Sequence, residues 1–205
     1  MNPRQISLWL AIAATTVWIA PAGSAEPAKS NYAIGERLHG GPAGGPSHTA
    51  TYREAAWEEL VPKDWDPVKD LRKLDFSQLD DADPRASRAL DRMREIWDQA
   101  PVNRALDGAA IKLPGFVVPL EQTKSGLREF LLVPYFGACI HVPPPPANQI
   151  IHVFAAKPVK GVHAMTAVWV SGILKSERKN SAMGMSGYRM EAKVVERYEE
   201  KGKAR

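Results

Sequence analysis

The chain has 205 residues, of which 24% are charged and 44% hydrophobic, and a formal charge of +4. That is long enough for one domain with a sizeable core. The basic residues are dispersed, which excludes the concentrated Lys/Arg surface that nucleic acid needs, and a single cysteine, Cys139, excludes an internal disulfide.

Residues 1–25 have the three parts of a secretory signal peptide: Arg4, an apolar stretch over 8–20, and the small residues Gly23-Ser24-Ala25 before Glu26. The apolar run is short for a membrane span, and no later segment approaches one. The expectation is therefore a periplasmic protein released by cleavage, with no membrane span afterwards. Residues 26–50 are rich in Gly, Pro, Ala and Ser and read as a flexible leader, in which His39 and His48 are incidental.

Residues 51–197 read as a single domain, followed by a charged tail over 198–205. Its first part, 51–100, forms a helical wrap: a short helix near 51–60, a loop-rich stretch, then a clearer helix. Asp83 is placed to cap that helix and Pro84 suits its first turn, while Ala89, Leu90, Met93, Ile96 and Trp97 share one face and Pro101 stops it.

Over 109–195 the hydrophobic period changes from helical spacing to two. Strands are expected at 110–120 (bent at Pro114-Gly115), 129–136, 148–155, 164–174 and around 188–194, with a turn at Lys124-Ser125-Gly126. The chain is thus expected to be mainly β with an N-terminal helical segment. Five strands, one of them bent, fit a small OB-like five-stranded barrel, and the alternative is an α+β two-layer sandwich. The expected barrel core is Leu131, Val133, Ile151, Val153, Val168, Val170, Leu174, Tyr188, Met190 and Val194.

The stretch LVPYFGACIHVPPPPANQIIHV, residues 132–153, carries the chemistry. Cys139 and His141 are two residues apart, so an extended backbone points both to one face. Pro143 to Pro146 should form a polyproline II rod of roughly 12 Å that limits their motion. His152 falls on the next strand, on the same face as Ile150 and Phe154. A thiolate and two imidazoles make a soft ligand set suited to zinc, or to copper, with Glu121 and His163 as candidate fourth ligands.

Two other readings compete with the metal site. In the first, Cys139 is a nucleophile activated by His141 or His152 and oriented by Asn148 or Glu121. It sits between a strand and a proline run rather than at a helix N-terminus, so an enzyme is the less favoured reading. In the second, Tyr135, Phe136 and the proline rod form a pre-ordered apolar patch that docks another envelope protein. Met183 and Met185 read as gap fillers.

The string VPYFGACIHVPPPPANQ, with GFVVPLE at 115–121, VWVSGIL at 168–174 and SGYRMEA at 186–192, resembles the DUF3299 family of exported bacterial proteins and lipoproteins over about 113–195. That resemblance implies no mechanism, since the family is of unknown function. It does imply a bias toward metal homeostasis and toward an ABC-transporter or other envelope partner, because some relatives lie beside transporter genes. Family members with a lipobox carry a cysteine at the signal-peptide junction, and this chain has none there.

Overall fold

The structure is a computed structural model that describes residues 31–38, 52–66, 69, 84–123 and 125–199. The signal-peptide stretch, most of the leader, Asp83 and most of the tail lie outside the described residues.

Ala110–Thr123 forms β2, Gly126–Val133 β3, Ile151–Val159 β4, Ala167–Lys175 β5 and Tyr188–Arg197 β8. Each strand pairs with its neighbour in the order β2-β3-β4-β8-β5, and β5 pairs again with β2, which closes a five-stranded barrel. All contacts are antiparallel except β4 with β8. This is the order and strand sense of an OB-type barrel.

Closure depends on one long strand serving two partners. β2 pairs with β5 from Ala110 to Phe116 and with β3 from Phe116 to Thr123. At the corner, a Cβ on Gly115 would lie 2.7 Å from the Leu132 side chain and 2.9 Å from the Val133 carbonyl, so only glycine fits the bend. The expected break at Pro114-Gly115 is therefore a corner inside one continuous strand. Pro114 lacks an N–H, but its carbonyl accepts a hydrogen bond from Trp57 Nε1 at 2.7 Å.

The short helix expected near 51–60 is replaced by two smaller pieces. Arg53–Glu54 is β1, parallel to Ile111 and Lys112 of β2, and Trp57–Leu60 is one 3-10 turn. The N–H of Ala55 bonds to the Lys112 carbonyl at 2.9 Å, which holds the chain extended and leaves too few residues to nucleate an α-helix. The second helix, α1, spans Pro84–Asp98. The carbonyls at and just beyond its end are satisfied by Arg178, whose guanidinium donates to Asp98 O at 2.6 Å, Gln99 O at 2.9 Å and Ala100 O at 2.5 Å. Arg178 leads into a small hairpin not expected from sequence, β6 (Lys179–Ser181) with β7 (Gly184–Ser186).

The wrap is stitched to the barrel by buried polar groups. The Tyr188 hydroxyl donates to Leu60 O at 2.6 Å and accepts from the Asn103 N–H at 2.6 Å. Gln149 Nε2 donates to Trp57 O at 3.0 Å, and Asn148 Nδ2 to Pro101 O at 2.9 Å.

Two apolar layers result, one on each face of the sheet. Inside the barrel lie Ile111, Leu113, Val117, Phe130, Leu132, Ile151, Val153, Val168, Val170, Leu174, Tyr188 and Met190, roofed by Trp57 and Leu60. Outside it, Phe116, Val118, Leu131, Val133 and Ile150 form a second layer with Leu38, Ala138, Met165 and Ala167. Leu131 and Val133 were expected in the barrel and instead face outward, while Val194 is only half-buried. The register of β3 on β4 slips between Leu127 and Glu129, which resets which residues of β3 point inward.

Candidate functional site

The outer layer is covered by irregular chain. Residues 134–150 leave β3, cross this face and return to β4, and residues 31–38 lie beside them. These last were expected in a flexible leader but are pinned: the Gly35 N–H donates to Phe136 O at 2.9 Å, and the Phe136 N–H donates to Glu36 O at 2.9 Å. Tyr32 sets its ring edge-on to Phe116 at 5.2 Å, and Phe116 meets Phe136 likewise at 5.6 Å. The Arg37 guanidinium lies 5.8 Å above the Tyr135 ring.

After Phe136 the chain makes a tight coil. Gly137, at φ +90°, offers its carbonyl to three N–H groups: Ile140 at 3.2 Å, His141 at 2.8 Å and Val142 at 3.1 Å. Its own N–H donates to Met165 Sδ at 3.0 Å. Cys139 at φ +64° and Met165 at φ +60° both hold left-handed backbone without being glycine. That conformation costs about 1–2 kcal/mol per residue, and here the surrounding bonds enforce it.

The expected ligands do not come together. Cys139 is half-buried against the outer layer, and burial pushes its thiol up to about 12, so it is protonated at neutral pH. His141 is exposed, at the end of the coil. Glu121 is exposed on β2. His163 is exposed too, with its N–H donating to Thr166 Oγ1 at 3.0 Å. His152 is buried on the outer face of β4, as its alternation with Ile151 and Val153 predicts, and its Nε2 lies 2.7 Å from Glu129 Oε1. Among the described residues, no three His, Cys, Asp or Glu side chains are grouped to hold a metal ion. Met183 packs on the outer layer as a filler.

Around His152 the structure assembles a charged cluster that no spacing announced. The imidazole stacks on Phe154 at 4.6 Å, and Lys179 and Arg189 lie 4.9 and 4.7 Å from the centre of the same ring. Lys179 also reaches Glu129 at 3.4 Å, while Arg189 meets Glu177 at 3.3 Å and Glu191 at 3.6 Å. Burial lowers the pKa of His152 below its ordinary value, against the opposing pull of Glu129. Partial burial would raise Glu129, but hydrogen bonds from His152 and Lys179 outweigh it and hold the carboxyl below its usual range. His152 is thus held as a neutral donor to Glu129, which occupies the imidazole expected at Cys139.

Sequence reasoning also passed over Ile34 and Glu129. The alternation Tyr32, Ile34, Glu36, Leu38 was the available signal for the first, and the pairing of β3 with β4 brings Glu129 to His152.

A closed five-stranded barrel of OB type, with a second apolar layer sealed by irregular chain, is the class of protein these observations define. Within that class, residues 57–197 match DUF3299, described as a protein of unknown function, and the chain belongs to that family. It is similar to the crystal structure of a DUF3299 family protein from Pseudomonas aeruginosa PAO1 at 2.45 Å resolution. The two share 40% sequence identity with a TM-score of 0.59, over 74% of this chain and 99% of that one. No curated protein matches.

Proposed function

We propose that the protein is a non-catalytic interaction module of the cell envelope, exported to the periplasm, that docks an apolar surface of another envelope protein such as a transporter subunit. The observation that carries this reading is the exposure of Ile34 and Ile140, both of which lie beside Gly137. They are 62% and 41% exposed, two of the three large hydrophobic residues exposed among those described. Ile34 Cγ2 lies 3.4 Å and His141 Cβ 3.6 Å from where a Gly137 side chain would begin, with Ile140 next to His141 in the coil. The backbone beneath them is over-determined by hydrogen bonds, so little ordering entropy opposes association. Tyr135 and Phe136, the earlier candidates for this patch, are half-buried and serve as its support.

The zinc or copper reading falls behind this one. It needs a thiolate where burial favours the thiol, and it needs donors that are not grouped. The hydrolase reading meets the same protonated thiol, and His152 is already bonded to Glu129.

The test is site-specific photocrosslinking in cells, with the crosslinker at Ile140 and, as a control, at Glu177. A discrete heteromeric product at Ile140 alone, lost when Ile34→Asp is added without a change in Tm, is the expected result. Equal products at both positions, or a product indifferent to Ile34→Asp, would remove the patch from consideration.

A further inference from the structure

The barrel is closed, but its seam between β4 and β8 parts at one end. β4 and β8 run parallel and pair only from Ile151 opposite Tyr188 to Ala155 opposite Ala192. Beyond that point β4 bulges: the register passes from Phe154 opposite Glu129 to Val159 opposite Leu127, so residues 155–158 stand against Arg128 alone. Pro158, within the bulge, has no N–H to offer a ladder. β8 bulges at Lys193 and runs on to Arg197, paired with β5 on one side and, among the described residues, with no strand on the other. Between the parted strands lies a cleft of about 370 Å³ lined by residues 155–160 and 192–195.

Its chemistry is uniform. Ala155, Val159, Ala192 and Val195 form a floor continuous with the barrel core. Lys157, Lys160 and Lys193 are exposed around it. Among the described residues none of the three is in an ion pair; Glu191, which feels Lys193 through space, is hydrogen-bonded to Lys175 at 3.2 Å.

We propose that this seam binds an extended acidic peptide segment of a partner protein, by strand addition to the free edge of β8. An unpaired strand edge offers backbone donors and acceptors in a row, which an extended peptide satisfies. A strand also presents side chains alternately to two sides, so small apolar residues meet the floor while carboxylates meet the lysines. Edge-on docking of a second copy of this chain sets lysine against lysine and is disfavoured. Single-stranded nucleic acid would need aromatic stacking platforms, and no residue lining the cleft is aromatic. This site is separate from the Ile34 patch and does not depend on it.

The test uses the full protein and a fluorescein-labelled octapeptide of alternating Glu and Val, read by fluorescence anisotropy and by amide hydrogen exchange. Saturable binding is expected, weakened at least tenfold in the Lys157→Glu, Lys160→Glu, Lys193→Glu variant, with the amides among residues 193–197 that face away from β5 gaining protection. All three side chains are exposed, so the Tm should be unchanged; should that variant melt without cooperativity, Lys193→Gln alone is expected to weaken binding about threefold. The proposal is overturned if a Lys/Val octapeptide or a backbone N-methylated Glu/Val octapeptide binds equally well. Tighter binding of oligo-dT than of the peptide would make the seam a general polyanion site. No peptide binding, together with dimerisation of a Lys157→Thr, Lys160→Thr, Lys193→Thr variant, would make the lysines guards against edge pairing only.

Discussion

The two apolar layers of this protein are built on the same strands and behave as different materials. The inner layer is enclosed by hydrogen-bonded strands and filled by residues almost wholly removed from water. The outer layer rests on the reverse face of β2, β3 and β4 and is closed by irregular chain, two left-handed non-glycine residues and half-buried aromatics. Exposed isoleucines and unusual backbone gather in the outer layer, because a surface held by loops can be reshaped without breaking the barrel. The inner layer carries stability, and the outer one carries the surface proposed for recognition.

The most severe way to probe that division is a charge in the barrel. Val170 is fully buried, so Val170→Asp strands an unpaired carboxylate and should leave no cooperatively melting soluble protein. Truncations then compare the layers directly. Leu132→Ala, inside the barrel, should cost about 2–5 kcal/mol in urea unfolding, whereas Tyr32→Ala, half-buried outside, should cost about 1–2 kcal/mol. Equal values would mean that both layers form one core. Tyr188→Phe removes the hydroxyl that ties the wrap to the barrel, which should cost about 1–3 kcal/mol and speed amide exchange at Asn103.

A gentler contrast comes from pH. His152 binds its proton less readily when folded than at its ordinary 6.5, so the unfolded chain takes up protons first as pH falls. Its contribution is complete above that value and is lost as pH falls through 6.5 toward the lower folded pKa. Glu129, also depressed, adds a second loss below its ordinary 4.5. Melting temperatures should therefore be flat from neutral to mildly alkaline pH and decline in these two stages, and His152→Gln should erase the first. A decline that begins at the same pH in His152→Gln would assign it to another group.

The smallest effect concerns Cys139. With its pKa pushed from 9.0 to about 12, alkylation by iodoacetamide at neutral pH should run roughly a hundredfold or more slower than for a free cysteine. Protein purified from metal-supplemented cells should carry the same zinc and copper as Cys139→Ser and His141→Ala. A metal lost specifically in those variants would restore Cys139 and His141 as ligands.

Local patterns in the sequence were enough for the second helix, for strands at about their observed places and for the barrel, since period and turn residues are properties of a few neighbours. Cys139-Ile140-His141 was legible as a motif in the same way, but its geometry was not. An extended backbone would have put the two side chains on one face, and the fold instead coils them around the Gly137 carbonyl. Which of Phe130, Leu131, Leu132 and Val133 entered the barrel was decided by a register slip in β3 against β4. Four consecutive apolar residues show no alternation when both faces of a strand are buried. His152 was correctly read as lying on one face with Phe154, yet its partner, Glu129, arrives from another strand. Residues 31–38 carry too few apolar groups to be read as structured, and their order comes from Phe136, about a hundred residues away. The seam between β4 and β8 likewise exists only once the barrel closes, because a strand edge is free or paired according to what the rest of the chain brings beside it.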